Sequence, residues 1–245
     1  MCGIAGMFSP DPLPDEEVAK LTYMVERLHH RGPDGTGMHL DAQGGLAMGH
    51  ARLSIIDLET GDQPLYGPRG ARTVFTGNGE FYDYKRIRAN LICEGDRFRT
   101  KSDSEIALHL YRKHGLEFVH HLRGEFAFAL YDGREERLIL VRDRFGIKPL
   151  FHTMAAETLL WASEIKALFA HEEVERKFSH QAVLHQLMHT MVPGTTAFEG
   201  VHALEPGHMM VVSRGREGLE IRKHRWWDLE FPRKEDRDPT RTIRQ

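Results

Sequence analysis

From residue 46 to about 165 the chain is made of short runs that read as strands: LAMGHARLSII, RTVFTGNG, EFAFALYD, ERLILVRD and TLLWASE, broken by Gly, Asp and Pro. Runs this short, joined by short turns, predict antiparallel sheets. Helical periodicity falls between them or outside the block. Val18, Leu21, Met24, Val25 and Leu28 recur at three-to-four spacing, as do Ile106, Leu110 and Tyr111, and KRIRANL reads as a further helix. Helices that do not alternate with every strand predict an α+β layered fold and argue against a doubly wound sheet. Near the C-terminus HMMVVSR and LEIRKHRWW read as a last hairpin around GREG. Residues 231–245, FPRKEDRDPTRTIRQ, hold eight charged residues and two prolines, a composition that buries no face. The expected organisation is one domain over residues 2–230 followed by a charged linker or tail.

Composition narrows the class. With 245 residues, 40% of them hydrophobic, the chain can bury one large core or two modest ones. A net charge of -3 with interleaved signs gives no field for a polyanion, so nucleic acid is a poor partner. No run approaches the ~18 apolar residues of a membrane span, and no apolar stretch of signal-peptide length opens the chain. Cys2 and Cys93 are too few for a disulfide framework. The expected location is the reducing cytoplasm.

The opening MCGIAG places a cysteine second. Once Met1 is removed, thiol and free α-amine sit on one residue, and an amine titrating near pH ~7.7–8.0 can accept the proton of a thiol titrating near ~8.5. An isolated early cysteine is more often a small buried hydrophobe. Arg52 heads an apolar segment, where it is either a solvated strand-end arginine or a bidentate fork for a carboxylate. Asn78-Gly79 is a common turn dipeptide, and a side-chain amide beside an unobstructed Gly N–H is also what an oxyanion hole requires. Ser102-x-x-Glu105 ahead of an apolar helical pattern reads as a capping box, with Asp103 in the first helical turn, where a carboxylate complements the helix dipole. His185 and His189 stand at i and i+4 on an expected helix, but no third ligand is apparent and no metal site is expected. Neither GxxxxGK[ST] nor GxGxxG occurs.

Taken together and in order, Cys2-Gly3-Ile4-Ala5-Gly6, RGPDG at 31–35, RLSIID at 52–57, NGE at 78–80, SDSE at 102–105, GEFAFALYD at 124–132, RDRFGIKPL at 142–150 and ASEIKAL at 162–168 resemble the glutaminase domain of glutamine-hydrolysing asparagine synthetase. The resemblance implies an N-terminal-nucleophile hydrolase fold, a four-layer αββα sandwich of two antiparallel sheets. It implies that Cys2 attacks the glutamine side-chain amide, that Asn78 and Gly79 hold the oxyanion, and that Arg52 pairs with the α-carboxylate. It also implies that Glu80 and Asp103 meet the α-ammonium and that residues Leu53, Ser54, Ile55 and Ile56 line the pocket. Partners implied are L-glutamine and a synthetase domain or subunit that takes the ammonia; a homodimer is compatible with it. No cofactor is implied for glutamine hydrolysis, and ATP with Mg belongs only to the synthetase half, whose Ser-Gly-Gly-x-Asp-Ser loop is absent from this chain. Asp83 and Phe81 depart from the NGEIYN of relatives. The alternatives are an amidotransferase serving another acceptor, in amino-sugar, purine or natural-product amidation, and a glutamine-binding scaffold without turnover.

Overall fold

Along β6 (Gly124–Asp132) successive side chains leave for opposite cores. Ala127, Ala129 and Tyr131 join Ile4, Phe8 and Trp161 in one apolar cluster, whereas Phe126, Phe128 and Leu130 join Leu91, Ile106 and Leu110 in another. A period of two with both faces covered leaves almost no polar alternation in the sequence of the strand. Each phenylalanine buried this way stabilises the fold by about 1.5–3 kcal/mol.

This computed structural model describes residues 1–68, 71–190 and 192–231. One sheet contains β1 (Gly3–Phe8), β2 (Gly35–Asp41), β3 (Leu46–Arg52), β8 (Phe151–Ala155), β9 (Thr158–Ala162) and β10 (His202–Ala203), in the order β10-β8-β9-β1-β3-β2. The other contains β4 (Leu65–Tyr66), β5 (Thr73–Phe81), β6, β7 (Arg137–Arg142), β11 (His208–Gly215) and β12 (Gly218–Arg225), in the order β12-β11-β7-β6-β5-β4. All pairings between these strands are antiparallel.

The inner faces of both sheets share the cluster around Ile4, Trp161 and Met210. On the outside of the first sheet, α1 (Asp15–Glu26) and α4 (Ile165–Leu168) cover Ala5 and Met7 with Leu21, Met24, Val25 and Leu168. On the outside of the second, α2 (Tyr84–Cys93) and α3 (Glu105–His114) bring Leu91, Ile106 and Leu110. The layering is αββα. The predicted hairpin is present, with His208 opposite Arg225 and the turn at Gly215–Gly218.

Two local expectations are corrected. Helix α3 begins at Glu105 with Ser104 as its N-cap, so Asp103 precedes the helix and no capping box forms. Glu105 instead turns back, accepting from the amides of Arg99 and Thr100 at 2.7 and 2.8 Å, while Ser102 Oγ accepts from Ser104 N at 3.3 Å. The competing local turn wins because it satisfies three donors of the 99–100 segment at once, Thr100 Oγ1 included at 2.6 Å. Likewise α5 (His180–Leu187) ends before His189, which has φ of 54°, so His185 and His189 do not share a helix face. Residues 232–245, most of the expected charged tail, lie outside the described residues.

Candidate active site

The register of β1 against β3 puts Gly3 opposite Ala51, so the residue before β1 meets the residues that end β3. Leu53 N donates to Cys2 Sγ at 3.3 Å, and Sγ lies 3.6 Å from Leu53 O. The chain start is pinned from behind. Arg31 Nε donates to Cys2 O at 2.9 Å, and the Ile4 backbone is held by Ser163, whose side-chain Oγ accepts from Ile4 N at 3.0 Å and whose N donates to Ile4 O at 2.8 Å. Arg31 is itself held by Glu164 at 2.9 Å; burial pushes that carboxyl up, but Arg31, His30 and Lys166 together hold it down to about 2. The RGPDG and ASEIKAL blocks therefore act as a brace for the N-terminal strand.

The second sheet supplies the facing wall. Asn78 and Gly79 lie within β5, opposite Ala127 and Phe126 of β6, so the Asn-Gly pair is strand and not turn. Gln63 grips this strand from the side, its Oε1 accepting from Gly77 N at 2.6 Å and its Nε2 donating to Gly77 O at 3.2 Å. His50 of β3 reaches across the sheets, with Nε2 3.2 Å from the same carbonyl.

Between these walls is a cavity of about 270 Å³. Cys2, Arg52, Leu53, Ile55, Ile56, Asn78, Gly79, Glu80 and Asp103 line it. Ser54 does not; its amide instead donates to Asp34 Oδ2 at 2.7 Å. The sequence reading missed Met1, His50, Gln63, Glu125 and Lys148 on the same wall. Lys148 pairs with Glu125 at 3.3 Å, and its Nζ is 3.6 Å from Met1 Sδ. Placement of Lys148 follows from the RDRFGIKPL loop, which wraps around the buried Asp143: its carboxylate accepts from the amides of Phe126, Phe145, Ile147 and Lys148 at 3.0–3.2 Å.

The cavity's polar groups divide by charge. Asn78 is 2% exposed and its Nδ2 is buried without a partner among the described residues, a donor that the fold leaves unsatisfied there. Beside it Gly79 has φ of 155°, and a Cβ there would stand 2.2 Å from Glu125 O, so only glycine fits this close approach to β6. Burial raises the Asp103 carboxyl against the amide hydrogen bonds of Phe81 and Ser104, and the neighbouring Glu80 carboxylate raises it further. A cation placed between the two carboxylates would relieve that cost. Arg52, 7% exposed, is a buried cation on the same cavity, with Nη1 2.5 Å from Asp62 Oδ1 and Nη2 on the carbonyl of Asp57.

His50 makes this wall acid-sensitive. Burial lowers its imidazole to about 4, with Arg52 acting in the same direction against the Gly77 carbonyl. An unfolded histidine titrates near ~6.5, so between pH ~6.5 and 4 the unfolded chain binds a proton that the folded one refuses. Stability therefore falls as pH falls through that window. His50→Gln, whose amide still reaches Gly77 O, is expected to remove up to about 3 kcal/mol of the loss between pH 7 and 4. Melting curves across that range check it, and an unchanged acid slope would show that His50 is not its source.

Comparison with known proteins follows the geometry. The family described as "Glutamine amidotransferase domain" matches residues 1–227. Amidase chry2 of Gibberella zeae is 38% identical over 97% of this chain and 36% of its own length. Asparagine synthetase [glutamine-hydrolyzing] 2 of Bacillus subtilis is 36% identical over 87% of this chain and 29% of its own. The chain thus spans about a third of the length of these relatives. Among solved structures, glutamine phosphoribosylpyrophosphate amidotransferase from B. subtilis superposes with a TM-score of 0.66 at 21% identity, over 92% of this chain and 49% of that one.

Proposed function

The chain belongs to the glutamine amidotransferase domain family, and from that premise we propose that it hydrolyses the side-chain amide of glutamine through Cys2 and hands the ammonia to a synthetase partner. The observation that carries this reading is the meeting, in one cavity, of a thiol, an unpartnered buried amide donor, a buried guanidinium and two carboxylates. Glutamine requires all of them: a nucleophile for its amide carbon, donors for the oxygen, a cation for the α-carboxylate and an anion for the α-ammonium.

The steps follow from those roles. While Met1 remains, the Cys2 nitrogen is an amide and has no basicity, so removal of Met1 comes first. The freed α-amine then takes the thiol proton, and Sγ bonds to the amide carbon as its π electrons move onto oxygen. Asn78 Nδ2 and Gly79 N–H hold that oxyanion. Collapse breaks the carbon–nitrogen bond, the α-ammonium returns its proton to the departing nitrogen, and ammonia leaves a γ-glutamyl thioester. Water, deprotonated by the same amine, attacks the thioester and releases glutamate and the Cys2 thiol. At Arg52, Nη2 is already fixed by the Asp57 carbonyl, whereas Nη1 meets Asp62, a side chain 81% exposed that a substrate carboxylate can displace. Asp103 and Glu80 take the α-ammonium.

Aspartate is the acceptor that the synthetase relatives suggest, with ATP and Mg acting in the partner domain and not here. A second reading has its own support: the amidase from G. zeae matches more of this chain, and at slightly higher identity, than the B. subtilis synthetase does. In that case the ammonia goes to a different acyl acceptor. No described helix is long and apolar enough to cross a membrane; we assign the chain to the cytoplasm because its two cysteines are unpaired.

Ammonia release from glutamine tests the core of the reading. Protein freed of Met1, as verified by intact mass, is expected to release ammonia and glutamate in equal amounts, while protein that retains Met1 behind a short N-terminal extension stays at background. Equal rates from both forms would remove the α-amine from the mechanism. No release from the processed form would overturn the function.

A further inference from the structure

Arg52 ends β3 of the first sheet and Asp103 lies in the turn before α3, and one partly buried loop residue, Asp57, touches both segments. Asp57 has φ of 54°, a left-handed conformation that costs a non-glycine residue energy unless its surroundings hold it there. They do. Its carbonyl accepts from Arg52 Nη2 and, at 3.2 Å, from Gly61 N. Its carboxylate accepts from Thr60 N at 3.0 Å, Thr60 Oγ1 at 2.5 Å and, across to the next loop, Lys101 N at 2.7 Å. Lys101 stands two residues before Asp103, whose own Oδ2 accepts from Phe81 N at 2.8 Å. The rest of that turn is held from the other side, by Glu105 on the amides of Arg99 and Thr100 and by Arg88 on the carbonyls of Thr100 and Ser102. Burial raises the Asp57 carboxyl, but the Thr60 and Lys101 hydrogen bonds and Arg52 more than offset it, so the acceptor stays ionised. Thr60 and Leu58 are exposed, so the latch joins two loops without belonging to a core.

We infer that Asp57 is a positioning residue: its carbonyl fixes the guanidinium of Arg52 and its carboxylate fixes the segment carrying Asp103, setting the spacing at which the site takes both charges of an α-amino acid. This rests on the glutamine reading proposed above. A ligand with both charges on one carbon senses that spacing; one with a single charge does not. Such a contact acts equally on ground and transition states, so its loss belongs in KM and not in kcat.

Asp57→Asn and Asp57→Ala test it, in the active protein and again on a Cys2→Ala background where glutamine affinity is read by calorimetry without turnover. Expected is a rise of about tenfold or more in KM and in Kd for glutamine, with kcat within about twofold and a melting temperature within a few degrees of the parent. The γ-amide acid lacking the α-ammonium should lose less than about twofold, because one charge requires no spacing. Asn is expected to keep the fold if Ala does not. Unchanged glutamine affinity, or equal losses for both ligands together with a lowered melting temperature, overturns the latch while leaving glutamine hydrolysis standing. Failure of the Cys2→Ala protein to bind glutamine at all overturns both.

Discussion

Cys2→Ala is expected to bring glutamine hydrolysis down by at least about 10⁴-fold, to background, while the folded protein still binds glutamine with near-parental affinity. The thiol is used in bond making, and in the free protein its only described hydrogen bonds are two long contacts to the Leu53 backbone, at 3.3 and 3.6 Å. Nothing that supports β1 passes through Sγ, because the strand is held by the Arg31 bond to the Cys2 carbonyl and by Ser163. The ground-state contacts are assigned to Arg52, Glu80 and Asp103, which the substitution leaves in place. Cys93, the exposed last residue of α2, supplies the control: Cys93→Ala should be silent in rate and in stability. Calorimetry of glutamine binding beside the ammonia assay reads both quantities, and substantial turnover by Cys2→Ala would transfer the chemistry to another group.

What the sequence revealed of the fold depended on how each strand is buried. Strands β6, β7 and β9 were legible as apolar runs because turn residues bound them and both their faces are covered. Strand β2, GTGMHLD, hid behind its two glycines and an alternation that leaves Leu40 and Met38 exposed. Strand β1 was read for the chemistry of Cys2 and not as a strand, since GIAGMF offers neither alternation nor β-branched density. The site divides in a similar way. Cys2, Arg52, Asn78, Gly79 and Asp103 stood out by their own chemistry, Glu80 and residues 53–56 were named only by the family resemblance, and all of them except Ser54 line the cavity. Residues whose work is done on the backbone could not be inferred: Gln63 and His50 both act on the carbonyl of Gly77, and Asp57 acts on Lys101 N, and no spacing rule foretells a partner that is a peptide group. The capping box failed for a related reason, since Glu105 found three donors in the 99–100 turn that a helix-start pattern does not contain.

The oxyanion assignment gives the second large effect. Asn78→Ala is expected to lower kcat by about 10²- to 10³-fold with little change in KM, because the donor meets charge that exists only in the tetrahedral intermediate and the transition states flanking it. The structure makes this a clean measurement. Asn78 sits mid-strand, opposite Ala127, so its backbone bonds do not depend on its side chain, and Nδ2 has no partner among the described residues to lose. If the amide served only to fill space in β5, the substitution would lower stability by leaving a small void, and kinetics would be nearly unchanged. A buried polar atom left unsatisfied is a cost to folding, so its removal need not destabilise at all. Asn78→Asp sharpens the contrast, since it keeps the volume but sets a carboxylate against the developing oxyanion, and it should fall at least as far as alanine. Parallel determination of kcat, KM and thermal stability on the two variants decides: a kcat loss at near-parental stability supports the hole, and parental kcat in Asn78→Ala would leave Gly79 N–H as its only proposed donor.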